Sequence, residues 1–299
     1  MRVIFLGTSS VYPTKNRNHQ AIALKYGGEI LLFDCGEGTQ RQMRIAKLKL
    51  SKISKIFISH WHGDHVLGLP GLLQSCAMEN RTKPLELWGP PTTKERIKHI
   101  RKTYEADFPF KIVIHEVKNK KTQIVDEELS YEILAAPLVH PCECIGFSFK
   151  EKDKIKINKE YLKKFNLTND PIIKKLQQGK NITWKSKKIK AKDATFIEKG
   201  KKITYIVDTS ETKNILDLAK KSDLLICEST YLNELKDQAK ERGHLTAKQA
   251  GNIAKKAKVD KLIITHFSQR YPKTTPLLNE ARGKFKNTYA AKDFMEVTV

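Results

Sequence analysis

The chain reads as an α/β protein, a four-layer αβ/βα sandwich in which two sheets face each other and helices pack outside. Two observations point there. Short β-branched or apolar runs of strand length recur along the 299 residues. Strands come first and mixed strand and helix follow, an order that suits two facing sheets better than a doubly wound parallel sheet. The length leaves open one large domain or two and suffices for a substantial core.

The elements follow in order. Residues 2–6 form an apolar run that ends at Gly7, so a first strand is expected there; further runs at 21–26, 30–33 and 55–59 read the same way. Helical stretches are expected at 39–47 and at 67–76, the latter at its Gly-Leu-Pro punctuation, and another at 93–103. Strands are expected at 85–88, 111–117, 131–135, 203–208, 224–227 and 261–265, with helices at 213–221 and 246–258 between the later ones.

Residues 150–202 break this pattern. They hold 18 lysines, no arginine and 6 acids, so +12 of the chain's net +23 lies in 53 residues. A uniformly lysine-rich surface would not concentrate charge this way. The segment reads as a basic arm inserted into the single domain 1–299, suited to phosphates; a solvated insertion without a partner is the bland alternative. The large positive excess makes nucleic acid the leading partner class. Five cysteines at no staple-like spacing suit a reducing compartment, and no apolar run approaches a membrane span, so a cytoplasmic protein without a membrane partner is expected.

The run Ser59-His60-Trp61-His62-Gly63-Asp64-His65 places three imidazoles and a carboxylate in six residues between a strand and a helix. These are borderline ligands suited to zinc, and such crowding without a metal would leave polar groups competing for partners. Closing a coordination shell needs residues from elsewhere. His140, Asp208 and His266 each stand at the end of an apolar run, where sheets gather polar side chains at one edge.

The His-x-His-x-Asp-His run resembles the signature of the metallo-β-lactamase superfamily. Gly7-Thr8-Ser9, the loop from Pro13 to Asn18, the segment from Phe33 to Gln40, Leu67 to Leu72, and Thr265 to Tyr271 narrow the resemblance to the ribonuclease Z group. It spans nearly the whole chain. The resemblance implies that His60, His62 and His140 hold one zinc, that Asp64, His65 and His266 hold a second, and that Asp208 bridges them. Asp34 resembles the family's carboxylate beneath the metal loop, which would fix a ligand's imidazole.

It further implies an endoribonuclease that removes the 3′ trailer from precursor tRNA, leaving a 3′-hydroxyl on the tRNA and a 5′-phosphate on the trailer. Asp64 would orient the attacking water and accept its proton. Glu228 and His244 match the family's acid pair, with His244 protonating the departing oxygen. The arm resembles the family's tRNA-binding exosite, with Asp170-Pro171 and Gly179-Lys180 standing where a Gly-Pro element and a Gly turn are usual. Lys15 and Arg17, in the loop beside the cleavage site, are available for phosphate contact. A homodimer in which one subunit's arm serves the other's site is also implied.

There are departures. Val139 precedes His140 where the family often has Asp, and Cys142 and Cys144 follow it; the pair reads as structural or incidental thiols. Two rival readings are a small-molecule hydrolase of the same fold, which the basic arm opposes, and an RNA-binding protein on a decayed nuclease, which the full ligand set opposes.

Overall fold

The structure, a computed structural model describing residues 1–118 and 120–299, pairs the apolar runs into two seven-stranded sheets. From edge to edge the first contains Glu296–Thr298, Arg2–Gly7, Ala21–Tyr26, Glu29–Phe33, Ile53–Phe57, Leu85–Gly89 and Ile112–Glu116. The second contains Thr288–Ala290, Lys261–Thr265, Leu224–Glu228, Lys202–Ile206, Cys144–Glu151, Tyr131–Leu138 and Gln123–Glu127.

Alternation explains why the first sheet is covered on both sides. Ile4, Leu6, Ala23, Leu32 and Ile56 point to one face and pack with Met43, Leu69, Leu72 and Leu73 of the helices Thr39–Ile45 and Leu69–Met78. Phe33 and Phe57 point to the other face and meet Phe147 and Tyr205 of the second sheet, with ring centroids 5.4 to 6.4 Å apart. Behind the second sheet lie the helices Lys213–Ala219, Ala247–Ala257 and Thr275–Arg282. This is the helix, sheet, sheet, helix layering that the pattern predicts.

The parallel strands position the chemistry. Glu29–Phe33 runs parallel to Ile53–Phe57, and Lys202–Ile206, Leu224–Glu228 and Lys261–Thr265 are mutually parallel. Parallel strands bring their carboxyl ends together, where the chain must turn towards a helix and where α/β sheets commonly bind ligands. Asp34, His60, Asp208, Glu228 and His266 all stand at or just beyond such ends.

Residues 128–132 and 150–201 form a second compact unit. Its strands Lys154–Ile157 and Thr195–Glu198 pair antiparallel, as do Ile182–Trp184 and Lys187–Ile189. Leu162, Leu167, Leu176, Ile182 and Ile189 build a separate small core beneath its lysines. The strands Gln123–Glu127, Cys144–Glu151, Thr288–Ala290 and Glu296–Thr298 and the helix Thr275–Arg282 are not among the elements that the sequence pattern predicts.

Candidate active site

Three of the residues at the strand ends adopt left-handed backbone. Asp34, Asp208 and His266 have φ of 57°, 48° and 59°, a conformation costly for residues with a side chain and one that turns them out of their strands into a common space. The metal loop arrives from the other side. Its short helix Gly63–Val66 rests on the segment after Asp34, with Cys35 N donating to His65 O at 2.8 Å and Gly68 N to Cys35 O at 3.0 Å. Gly36 permits that approach, since a Cβ there would lie 2.3 Å from the Asp64 carbonyl oxygen.

His60 Nε2 and His140 Nε2 each lie 3.1 Å from His62 Nδ1. Their outer nitrogens are engaged: His140 Nδ1 donates to Gly243 O at 2.9 Å, and His60 Nδ1 lies 3.0 Å from Ser59 Oγ. Ser59 Oγ donates its own proton to Asp34 Oδ2 at 2.8 Å, so it accepts from His60. His60 and His140 therefore aim lone pairs inward, and the single Nδ1 of His62 can donate to only one of them.

The second cluster repeats the logic. His65 Nδ1 donates to Asp34 Oδ2 at 2.7 Å. His266 Nδ1 donates to Thr230 Oγ1 at 3.0 Å, because that hydroxyl gives its proton to Glu228 Oε2 at 2.6 Å. The free Nε2 atoms of His65 and His266 lie 3.2 Å apart and face Asp64 and Asp208, with His266 Nε2 3.1 Å from Asp208 Oδ1 and 3.3 Å from Asp64 Oδ2. Imidazole nitrogens directed at carboxylates inside a protein call for a cation between them, a proton or a metal ion. Asp208 Oδ1 is buried and accepts no hydrogen bond among the described residues, while Asp208 Oδ2 lies 3.5 Å from His60 Nε2. The donor set fits two metal ions sharing Asp208, with nitrogen and oxygen ligands of the kind zinc takes.

The electrostatics agree. Burial, reinforced by the charge of His65, keeps the His60 pKa far below its ordinary value. For His65 burial acts in the same sense but is outweighed by Asp64, Asp208 and Asp34, which raise it strongly. Burial works against ionising Asp64 and Asp208, yet the surrounding imidazoles hold both well below the usual carboxylate range.

Glu228 is fully buried. Its Oε1 accepts from Thr209 N at 2.7 Å, and its two oxygens lie 3.3 and 3.2 Å from His244 Nδ1. Burial alone would lower the His244 pKa; the Glu228 carboxylate outweighs it and lifts the value to about 9. The His244 ring lies between those of His140 and His266, at centroid distances of 5.4 and 5.7 Å. A proton donor thus stands beside both ligand clusters.

The two cations of the loop Pro13 to Asn18 differ. Arg17 is only 9% exposed, and its Nη2 donates to the carbonyls of Tyr271 at 3.0 Å and Ser268 at 3.5 Å. It ties the loop to the segment after His266, leaving Lys15 as the exposed cation. Asp293 holds the loop from below, accepting from Asn18 N at 2.7 Å and Thr8 Oγ1 at 2.8 Å. Cys142 Sγ stands with the ligand atoms of His60, His62 and His140, all within 4.8 Å of one another. Cys144 is buried and its thiol donates to Val207 O at 3.6 Å. Gly179, with φ of 78°, and exposed Lys180 end a short helical turn in the second unit, remote in sequence from these clusters.

Comparison with known proteins decides the family. The chain is 41% identical to the ribonuclease Z of Methanothermobacter thermautotrophicus over 300 residues, covering 100% of this chain and 97% of that protein. It is 38% identical to the ribonuclease Z of Archaeoglobus fulgidus, covering 100% and 97%. The chain belongs to the ribonuclease Z family.

Among solved structures, the human short-form tRNase Z (ELAC1) superposes with a TM-score of 0.74 at 29% identity, covering 100% of this chain and 99% of that one. The metallo-β-lactamase fold protein YhfI of Bacillus subtilis, 18% identical, shares the fold with a TM-score of 0.70 over 99% and 98% of the two chains. A family model described as anti-Pycsar protein Apyc1 matches residues 1–157, the part that holds His60 to His65 and His140.

Within this ribonuclease Z family chain, sequence reasoning missed Ser59, Tyr205, Thr230 and Asp293. Ser59 and Thr230 link ligand imidazoles to Asp34 and Glu228 through their hydroxyls. Each hydroxyl lies within two residues of a candidate named from the sequence, a signal that was available.

Proposed function

We propose that this chain is a two-zinc endoribonuclease that removes the 3′ trailer from precursor tRNA, leaving a 3′-hydroxyl on the tRNA and a 5′-phosphate on the trailer. One observation carries the reading: two ligand clusters sharing Asp208, with a protonated His244 beside both, in a chain 41% identical to a curated ribonuclease Z along its whole length.

His60, His62, His140 and Asp208 would hold one zinc; Asp64, His65, His266 and Asp208 the other. Bound there, the ions supply Lewis acidity towards phosphoryl oxygens and make water acidic enough to ionise near neutral pH. The chain's residues do the rest. Asp34, through Ser59 and directly, holds the His60 and His65 rings in place. Asp64, whose Oδ2 lies 3.5 Å from His65 Nε2 and 3.3 Å from His266 Nε2, would orient the attacking water and accept its proton. His244 protonates the departing 3′ oxygen, and Glu228 keeps that proton available while fixing the ring.

Lys15 contacts phosphate near the cut, and Arg17 positions the loop that carries it. The lysine-rich unit around Gly179 and Lys180 grips the tRNA elbow as an inserted arm of one catalytic domain. The reading also takes the enzyme to be a homodimer, as the family resemblance implies. No described helix is long and apolar enough to cross a membrane, and the reading places the enzyme in the cytoplasm with its substrate.

The test is to incubate the metal-loaded protein with a 3′-extended precursor tRNA and map both new ends. A cut beside the discriminator nucleotide with the stated termini is expected. Full metal loading without such a cut would overturn the proposal.

A further inference from the structure

Beside His244 lies a cavity of about 240 Å³ lined by Ser210, Glu211, Lys236, Lys240, His244 and Gln249. We propose that this cavity is the subsite for the RNA backbone phosphate immediately upstream of the cut, the 5′-phosphate of the nucleotide whose 3′ oxygen departs. The inference rests on the reading of His244 as the group that protonates that oxygen.

Local sequence builds the cationic wall. Lys236 and Lys240 are spaced i, i+4 on the helix Lys236–Glu241, so they share a face, and the chain then turns at Gly243, φ 70°, to deliver His244. Among the described residues neither ammonium forms an ion pair, so both charges are available to a ligand. The one carboxylate lining the cavity, Glu211, accepts from Gln249 Nε2 at 3.1 Å. Ser210 is fixed to the strand end before His140, its N donating to Val139 O at 2.8 Å. Two lysines with no ion pair among the described residues therefore line one small cavity with a single carboxylate, a surplus of positive charge that attracts an anion.

Substrate geometry selects which anion. In a ribonucleotide the 3′ oxygen and the 5′-phosphate are joined by a single sugar. A nucleotide that presents its 3′ oxygen to His244 must therefore place its own 5′-phosphate within one ribose of that ring. The cavity is lined by that ring and so lies within that reach. The downstream phosphate of the trailer lies on the opposite side of the scissile bond.

The experiment compares binding of adenosine 5′-monophosphate and adenosine 3′-monophosphate to the metal-loaded enzyme by calorimetry. It uses wild type, Lys236→Ala/Lys240→Ala, and the charge-matched Lys255→Ala/Lys256→Ala on the exposed face of the helix Ala247–Ala257. The first pair is expected to weaken the 5′-nucleotide about tenfold, the scale of removing one charge-assisted hydrogen bond, and to raise KM for precursor tRNA more than it lowers kcat. The second pair should leave 5′-nucleotide affinity unchanged. Equal affinity in wild type and Lys236→Ala/Lys240→Ala, or a loss confined to the 3′-nucleotide, would overturn the subsite. Failure of wild type to cut precursor tRNA would instead overturn the functional reading, and the nucleotide-binding result is independent of it.

Discussion

The phenol of Tyr205 donates to Asp34 Oδ2 at 2.7 Å across the interface between the two sheets. That oxygen also accepts from His65 Nδ1 and Ser59 Oγ, so one buried carboxylate is held from three sides while it orients two ligand imidazoles. Tyr205→Phe keeps the ring packing on Phe33 and removes one donor. Zinc affinity, measured by competition with a chromogenic chelator, is expected to fall roughly tenfold, the low end of what outer partners of metal-bound histidines contribute. Asp34→Asn should fall further, because it weakens both histidine contacts. Wild-type affinity in Tyr205→Phe would reduce that residue to packing.

Chelation is expected to abolish cleavage and to lower the unfolding temperature by roughly 5 °C or more, since ligand binding to the folded state alone stabilises it. The site has a reason to depend on the ions: Asp64, Asp208 and the imidazoles of His60, His65 and His266 are buried together. Restoring two equivalents of zinc should recover both activity and melting temperature. Full recovery at one equivalent would argue against the shared-ligand arrangement.

How far the sequence spoke depended on distance along the chain. His60 to His65 declared itself because four ligands lie in six residues. His140, Asp208 and His266 were legible as polar caps on apolar runs, although nothing in those runs says that they meet. Tyr205 was hidden because an aromatic in the strand Lys202–Ile206, buried over its last four residues, reads as core, and most of it is core. Asp293 acts on Asn18 across 275 positions, which no local pattern reports. Cys144–Glu151 did carry a usable signal, Ile145, Phe147 and Phe149 alternating with Gly146, Ser148 and Lys150, although the strand is buried on both faces over its first six residues. The helix Thr275–Arg282 did carry a usable signal, a proline in its first turn.

His244→Ala should lower kcat for precursor tRNA by roughly 10²–10⁴, the range for loss of a positioned general acid. The loss should shrink on a phosphodiester whose leaving group is p-nitrophenolate, which needs no proton to depart. Glu228→Gln should act in the same direction and less strongly, because its one amide oxygen still accepts from either Thr209 N or Thr230 Oγ1 and the side chain keeps its shape. Equal losses on both substrates would show that His244 supports the ligands rather than the leaving group.

Asp293 accepts from Asn18 N, Thr8 Oγ1 and Gln42 Nε2, so Asp293→Ala leaves buried donors unsatisfied. A stability loss of about 1–3 kcal/mol is expected, together with a KM increase for precursor tRNA and unchanged zinc content. Asp293→Asn should recover part of both. Burial raises the Asp293 pKa above the ordinary carboxylate value, so ionising it costs the fold stability. That cost is absent below the ordinary value and grows as pH rises from there through the raised one. Asp293→Asn is therefore expected to flatten the stability profile just above the usual carboxylate range, as read by denaturant unfolding across pH. A drop in zinc content would place Asp293 in the metal site's support rather than the loop's.

The arm can be removed cleanly. Glu151 N donates to Lys201 O at 2.8 Å, so the two ends of the excursion meet and a short glycine-rich turn can replace residues 152–200. The excised part has its own small core of Leu162, Leu167, Leu176, Ile182 and Ile189, which shares no residue with the apolar cluster beneath the first sheet. If its lysines grip RNA phosphates, tRNA affinity should fall steeply, and the slope of log K against log salt should become shallower by roughly 0.7–0.9 for each phosphate that the arm no longer neutralises. Hydrolysis of bis(p-nitrophenyl) phosphate, which has no tRNA body to hold, should continue, because every proposed ligand and both members of the acid pair lie outside the excised segment. Unchanged affinity with an unchanged salt slope would make the arm a solvated insertion, and would move the burden of tRNA recognition to Lys15 and the cations around the site itself.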